Sequence, residues 1–188
     1  MDAILTRKGT PIVKNFSANQ YELLADYTVS GSAISSYTFS GLNITSDDEV
    51  VFVSDITNQN NTSFLYLYVN GNTTTTNYNS QQIEATGTNV SGVRTNDPRA
   101  IVSIPNYKTY AMINIKLTNN GYLVFQSHTN YKYGSEIGIV EHFGTSTFTL
   151  SSIKSLTLTS SVASAIGIGS RFQLYRVKGK VQQTWATT

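Results

Sequence analysis

Between Ile153 and Val177 the chain reads IKSLTLTSSVASAIGIGSRFQLYRV. Two short segments of it alternate apolar and polar residues with a period of two. Leu156 and Leu158 fall on one face, and Ser155, Thr157 and Thr159 on the other; Ile153 falls on the polar side. Phe172 and Leu174 alternate in the same way with Arg171, Gln173 and Tyr175. Successive side chains of a strand point to opposite faces, so this spacing suits a half-buried strand and cannot give a helix an apolar stripe. A polar turn at Ser160–Ser164 and the small run Gly167-Ile168-Gly169-Ser170 separate the two segments. The spacing predicts an antiparallel pair near the end of a β domain. Gly167 and Gly169 are expected where the backbone needs a conformation or a close approach that a Cβ would block.

The rest of the chain repeats the signal. Leu23–Ile44 reads as two strands around Ser30-Gly31-Ser32. Val50–Val53 is apolar on both faces, as a central strand is. Leu65, Leu67 and Val69 share one face of Phe64–Asn70, and Asn70-Gly71 is a hairpin-type turn signal. In Tyr110–Thr118, Ile113, Ile115 and Leu117 alternate with Asn114, Lys116 and Thr118, and Asn119-Asn120-Gly121 precedes Tyr122–His128. A three-residue loop with Gly121 in the left-handed region places Leu117 opposite Leu123 and Ile115 opposite Phe125. A two-residue loop would pair Lys116 with Phe125, so the first register is the one expected. Asn72–Thr88 reads as an exposed loop or weak edge, Val90–Arg99 as irregular with a turn at Asp97-Pro98, and Tyr131–Gly134 as a tyrosine-rich loop. Ile137–Val140 and Thr147–Leu150 flank Phe143-Gly144, and Ala18–Ala25 allows one or two helical turns at most. No helical period of useful length appears.

These segments amount to nine or ten short strands separated by frequent turns. They predict an all-β fold, a single antiparallel β-sandwich of the jelly-roll kind. At 188 residues the chain suits one domain, able to bury roughly 70% of its unfolded surface. We divide it into an N-terminal arm at 1–19, a body at 20–178 and a short tail at 179–188 holding Trp185. The arm, with Arg7, Lys8 and Lys14 among scattered apolar residues, is expected to lie against the body or a neighbouring subunit.

Composition narrows function mostly by exclusion. There is no cysteine, hence no disulfide framework, thiolate metal site or cysteine nucleophile. Net charge is +2 with no basic stripe, so nucleic acid is not an expected partner. No apolar run approaches the ~20 residues of a membrane span, so no membrane insertion is expected, and MDAILTRKG lacks the pattern of a signal peptide. Sequons at Asn15, Asn43, Asn60, Asn61, Asn72 and Asn89 follow from an Asn/Thr/Ser-rich composition. The only histidines are His128 and His142, without zinc-ligand spacing, and Glu141 and His142 are adjacent and so face opposite ways along a strand. Asp47-Asp48-Glu49 lacks the ligand spacing of a calcium loop and reads as a solvated turn. Gly167–Ser170 lacks the spacing and the following helix of a phosphate loop. We expect no catalytic residue, no metal site, no cofactor and no enzymatic activity.

A resemblance adds a setting. The pattern I-x-S-L-T-L … G-S-R-F-x-L-Y-R at Ile153–Arg176 resembles the C-terminal strand pair of tailed-phage virion structural proteins, with Arg176 where those chains usually carry glycine. Gly31–Leu42 (GSAISSYTFSGL) and the pair Tyr68-Val69-Asn70-Gly71 and Asn77-Tyr78 match two further landmarks of such proteins, in the expected order and over most of the chain. The resemblance implies a virion β-sandwich made in the host cytoplasm, on the capsid as decoration or associated with the tail, with other virion proteins and further copies of itself as partners. The tyrosines Tyr66, Tyr68, Tyr78, Tyr131 and Tyr133, together with Tyr107 and Tyr110, are the candidates for subunit contact. The alternative is a carbohydrate-binding module for a host surface glycan, with at least two of these rings in one plane beside Asn or Asp side chains.

Overall fold

Among the described residues, backbone hydrogen bonding forms fourteen strands. In the computed structural model, which describes residues 21–177 without the side chain of Tyr133, and only the backbone of residues 5–7 and 10–12, these are β1 (Leu5–Arg7), β2 (Thr10–Ile12), β3 (Tyr21–Thr28), β4 (Ser36–Phe39), β5 (Glu49–Thr57), β6 (Ser63–Val69), β7 (Tyr78–Thr86), β8 (Asn89–Thr95), β9 (Arg99–Ser103), β10 (Lys108–Leu117), β11 (Tyr122–Tyr133), β12 (Glu136–Thr149), β13 (Leu156–Ser160) and β14 (Arg171–Val177). β1 and β2 pair with each other. The remaining expectations for the arm and the tail, Trp185 included, lie outside the described residues. The other twelve strands form an eight-stranded sheet, β3-β14-β5-β10-β11-β12-β7-β8, and a four-stranded sheet, β4-β13-β6-β9. All pairings are antiparallel. The β-sandwich is as expected. Sheets of eight and four strands do not by themselves establish the jelly roll expected of it.

The core lies between the sheets and is built by alternation. In β10, Thr109, Ala111, Ile113, Ile115 and Leu117 are buried while their neighbours face outward. The Asn119–Gly121 loop sets the next register: Gly121 has φ +82°, Leu117 pairs with Leu123, and Ile115 with Phe125. That is the three-residue-loop register, and it brings all four apolar side chains into the core. β5 lies between β14 and β10, with Val50, Val51 and Phe52 buried, as its two apolar faces suggested. At the β3/β4 side, Tyr27 and Tyr37 stack across the two sheets at 3.8 Å and close the sandwich.

Several local expectations need correction. β13 and β14 do not pair with each other. β13 lies in the small sheet between β4 and β6, and β14 in the large sheet between β3 and β5. Leu156, Leu158, Phe172 and Leu174 are all within the same core, so each sheet contributes one apolar face to it. The link between them uses its glycines as expected. Gly169 has φ +83°, and a Cβ on Gly167 would stand 2.7 Å from the carbonyl oxygen of Thr57. Ile153 is fully buried, not on a polar side, because its backbone bridges to Ile44 before β13 begins. Asn70 and Gly71 both have positive φ and form a tight turn, but it carries the chain from the small sheet to the large one and closes no hairpin. The Asn70 side chain accepts from the backbone N–H groups of Lys154 and Ser155 and donates to the carbonyl of Ser152, fastening this turn to the approach to β13.

Asn72–Thr88 contains β7, an internal strand whose Tyr78, Ser80 and Gln82 are buried. β8 replaces the irregular stretch after it. Residues 136–149 form one long strand, and Tyr131–Tyr133 end β11 instead of forming a loop. Tyr21–Thr28 is a strand, so the possible helical turns before Ala25 are not formed from Tyr21 onward.

Candidate functional site on the outer face of the large sheet

The expected tyrosine contacts divide by burial. Tyr68, Tyr78 and Tyr131 are 6%, 0% and 6% exposed and belong to the protein's own interior. The Tyr78 hydroxyl donates to the carbonyl of Asn72 and accepts from the N–H of Val69, while its ring meets Tyr68 and Phe148 edge-on. Burial pushes its phenol up to about 12. The Tyr131 hydroxyl donates to Glu84 at 2.7 Å, and its ring lies over Gly138. These three are therefore corrected from contact candidates to core residues: at sheet–sheet distance a tyrosine fills the gap and finds a buried partner for its hydroxyl. Tyr66 is half-buried, with its ring 6.1 Å from that of Tyr68. The side chain of Tyr133 lies outside the described residues. Tyr107 is half-buried, its hydroxyl accepting from the N–H of Gly134, and Tyr110 is exposed on the outer face of β10.

What faces solvent instead is set by β12, which runs against the usual amphipathic rule. Its buried residues are Gly138, Val140, His142 and Ser146, whereas Ile137, Ile139 and Phe143 are exposed. The neighbouring strand explains the inversion. Tyr131 and Phe125 of β11 stand opposite Gly138 and Gly144, and a Cβ on either glycine would overlap the facing ring. Positions 138 and 144 on the inner side of β12 must be small because β11 has already filled that space. Val140 and Phe148 keep inward places, whereas Ile137, Ile139 and Phe143 fall on the outer face.

Cross-strand pairing arranges that face in rows. One row runs Asn114, Gln126, Phe143, Gln81, Arg94 across five adjacent strands. The exposed Phe143 ring thus has an amide-bearing side chain opposite it on each side. Two shallow depressions of about 260 and 360 Å³ meet at Phe143 and Gly144. The next row runs Met112, His128, Glu141, Ile83, Gly92, with a direct hydrogen bond between His128 and Glu141 at its middle. Tyr110 and Ile139 lie opposite Asn130 from its two sides in the row beyond. No family model, curated protein or solved structure matches this chain. The face has a chemistry of its own: an aromatic and aliphatic surface interrupted by amides and by the hydrogen-bonded His128 and Glu141.

Other candidate groups fall elsewhere. Glu141 and His142 face opposite sides, as their adjacency predicts. His142 is fully buried with Ser127 Oγ 3.4 Å from its Nδ1, while the Ser127 hydroxyl donates to the carbonyl of Ala100 on β9. Burial, with the nearby Arg99 cation, lowers His142 to about 4, and Asp97 opposes the shift. This serine–histidine pair is enclosed between the sheets and opens on no cleft. Asp48 accepts from the N–H and hydroxyl of Thr45 and pairs with Arg176 Nε at 3.1 Å, which makes the acidic triplet a tied turn. Arg176, the departure from the phage pattern, also reaches Glu22 and the carbonyl of Asn43, joining the end of β14 to β3 and to the loop before β5. Among the described residues no group of three His, Cys, Asp or Glu side chains is placed to hold a metal ion.

Sequence reasoning missed Phe143 and Ile139. The available signal was the pair of glycines, Gly138 and Gly144, six residues apart on one face of an otherwise regular alternation. Two glycines on one face mark that face as the crowded one, and so mark the isoleucines and the phenylalanine as outward.

Proposed function

We propose that this chain is a non-enzymatic structural protein of a tailed-phage particle. Its stiff sandwich assembles on the particle surface, as capsid decoration or in association with the tail, through contacts with other virion proteins and with further copies of itself. The supporting observation is the inverted strand β12, which turns Ile137, Ile139 and Phe143 toward solvent on a broad sheet face. Clustered exposed apolar side chains rimmed by polar ones mark interaction surfaces. The phage setting is supported by the three sequence landmarks, which fall on β4, on the β6–β7 turn and on β13 to β14. The test is protein mass spectrometry on gradient-purified particles of the phage that encodes the chain. We expect it in a fixed copy number in intact particles, and its absence from them would sink the proposal.

A second reading has its own observation. Phe143, with Gln81 and Gln126 opposite it and Asn114 in the same row, offers a ring face for sugar C–H groups and amides for hydroxyls. It differs from the expected glycan site, three of whose tyrosines, Tyr68, Tyr78 and Tyr131, lie in the core. Binding of the purified chain to host surface polysaccharide, lost in Phe143→Ala, would favour host adsorption over assembly.

A further inference from the structure

The two sheets differ in width, and this leaves β8 in an unusual position. It pairs on one side only, with β7, through a two-residue loop in which Gly87 has φ +57°. From Asn89 to Arg94 every residue is exposed, and Thr95 is half-buried. Val90, at 75%, is the most exposed large apolar residue among those described. The strand has solvent on both faces and along its free edge.

Free strand edges template pairing with other strands, and proteins protect them with charges, bulges, short length or covering elements. The other three edges of the sandwich carry such devices. β3 has Glu22 and Asp26 in ion pairs with Arg176 and Arg171, and a register shift against β14. β4 is only four residues long. β9 has a register shift against β6, with Ala100 as the extra residue, and packs back onto β10, β11 and β12. β8 is neither short, bulged nor covered. It pairs along seven residues without a shift, contains no proline, and bears one charge, Arg94.

We propose that β8 pairs antiparallel with β8 of a second copy of this chain, about a two-fold axis through Gly92, joining the two large sheets into one. The sequence of the strand selects both the partner and the register. Full seven-residue overlap of Asn89–Thr95 with itself requires Gly92 to face its own counterpart. Val90 then faces Arg94 of the second copy, Ser91 faces Val93, and Asn89 faces Thr95, each twice. The only charge never meets its like, and the aliphatic stem of Arg94 covers the exposed Val90. A register that slides the axis to Arg94 sets two guanidinium groups opposite each other and loses overlap. This names a surface for the self-association proposed above, and rests on that reading only in that copies of the chain must meet.

The test uses the full chain and its lack of cysteine. Sedimentation across a range of concentrations should give a species of twice the chain mass. Val90→Lys places a lysine opposite the second copy's arginine and should raise the dimer Kd at least tenfold. Val90→Glu places a carboxylate there and should lower it. An apolar patch used without this register would be weakened by both changes. Cα atoms of facing antiparallel residues are ~4.5–5.5 Å apart, within the ~4.4–6.8 Å that a disulfide spans. A Cβ on Gly92 makes only an ordinary 3.5 Å contact with the Gln82 carbonyl oxygen. Gly92→Cys should therefore cross-link to itself on oxidation, and Asn89→Cys should not. A wild-type chain that stays monomeric at all concentrations overturns the proposal, as does a dimer indifferent to the sign of charge at position 90 and without the cross-link at 92. Neither result decides whether the chain belongs to a virion, which the particle measurement tests separately.

Discussion

β10 and β12 belong to the same sheet, separated only by β11, yet they use alternation in opposite ways. β10 buries Ala111, Ile113, Ile115 and Leu117 and shows Lys108, Tyr110, Met112 and Lys116 to solvent. β12 buries Val140 with two small residues and a histidine, and shows Ile137, Ile139 and Phe143. Period two states only that two faces exist. Which face turns inward depends on how much space the opposing side chains have left, and beside β12 the rings of Phe125 and Tyr131 have taken it. One strand is placed by its own hydrophobicity, the other by its neighbour's volume.

The contrast predicts unequal costs. Ile115→Ala in β10 removes a side chain that is 1% exposed among Val50, Leu117 and Phe125. Urea denaturation should show a loss of about 2–5 kcal/mol, the range for emptying a well-packed aliphatic site. A loss below about 1 kcal/mol would mean that β10 is not the organising strand of this core.

His142 gives β12 a pH dependence. Its folded value of about 4 lies below the ordinary 6.5, so the unfolded chain takes up the proton first as pH falls. The contribution is complete above pH 6.5, declines between pH 6.5 and about 4, and is exhausted below that. The gap corresponds to about 3 kcal/mol at 1.36 kcal/mol per tenfold change in proton affinity. Denaturant midpoints for wild type and His142→Gln should diverge across this window, the variant losing less. Parallel curves would show that another group carries the acid sensitivity.

Gly144→Ala tests the reason for the inversion. The added methyl meets the Phe125 ring, and overpacking of this kind costs about 1–3 kcal/mol. Phe125→Leu in the same background should recover part of the loss by freeing the space. An additive double variant would show that the ring is not what excludes the side chain.

The same contrast separates what was legible in the sequence from what was not. Alternation with a turn of known geometry gave the Leu117/Leu123 register, because both requirements pointed to one pairing. It also gave the two-faced burial of β5. It failed for β7, whose Ser80 and Gln82 are buried without being apolar, since a polar strand between two others is held by its backbone ladder as much as by side-chain transfer. It failed for the β13–β14 relation because period two is identical whether successive strands share a sheet or face each other across the core. The burial of Tyr68, Tyr78 and Tyr131 is illegible for a related reason: that of Tyr78 depends on backbone partners at Val69 and Asn72 that arrive only with the β6–β7 turn.

The smallest change in stability should come from the residue proposed to matter most for contact. Phe143 is 45% exposed and its ring takes no part in the core clusters. Surface substitutions away from packed features usually stay within about 0.5 kcal/mol, so Phe143→Ser should leave the denaturation midpoint nearly unchanged. If the outer face is a contact surface, the same variant should lose occupancy on particles, because a central aromatic residue contributes more to an interface than its polar rim does. The two readouts must separate for the comparison of β10 with β12 to hold. A variant that unfolds readily would place Phe143 within the stabilising framework, and β12 would then be an ordinary strand with an unusual sequence. A variant that is stable and still binds would leave the inversion as a packing consequence of Phe125 and Tyr131 alone, with no use made of the face it exposes.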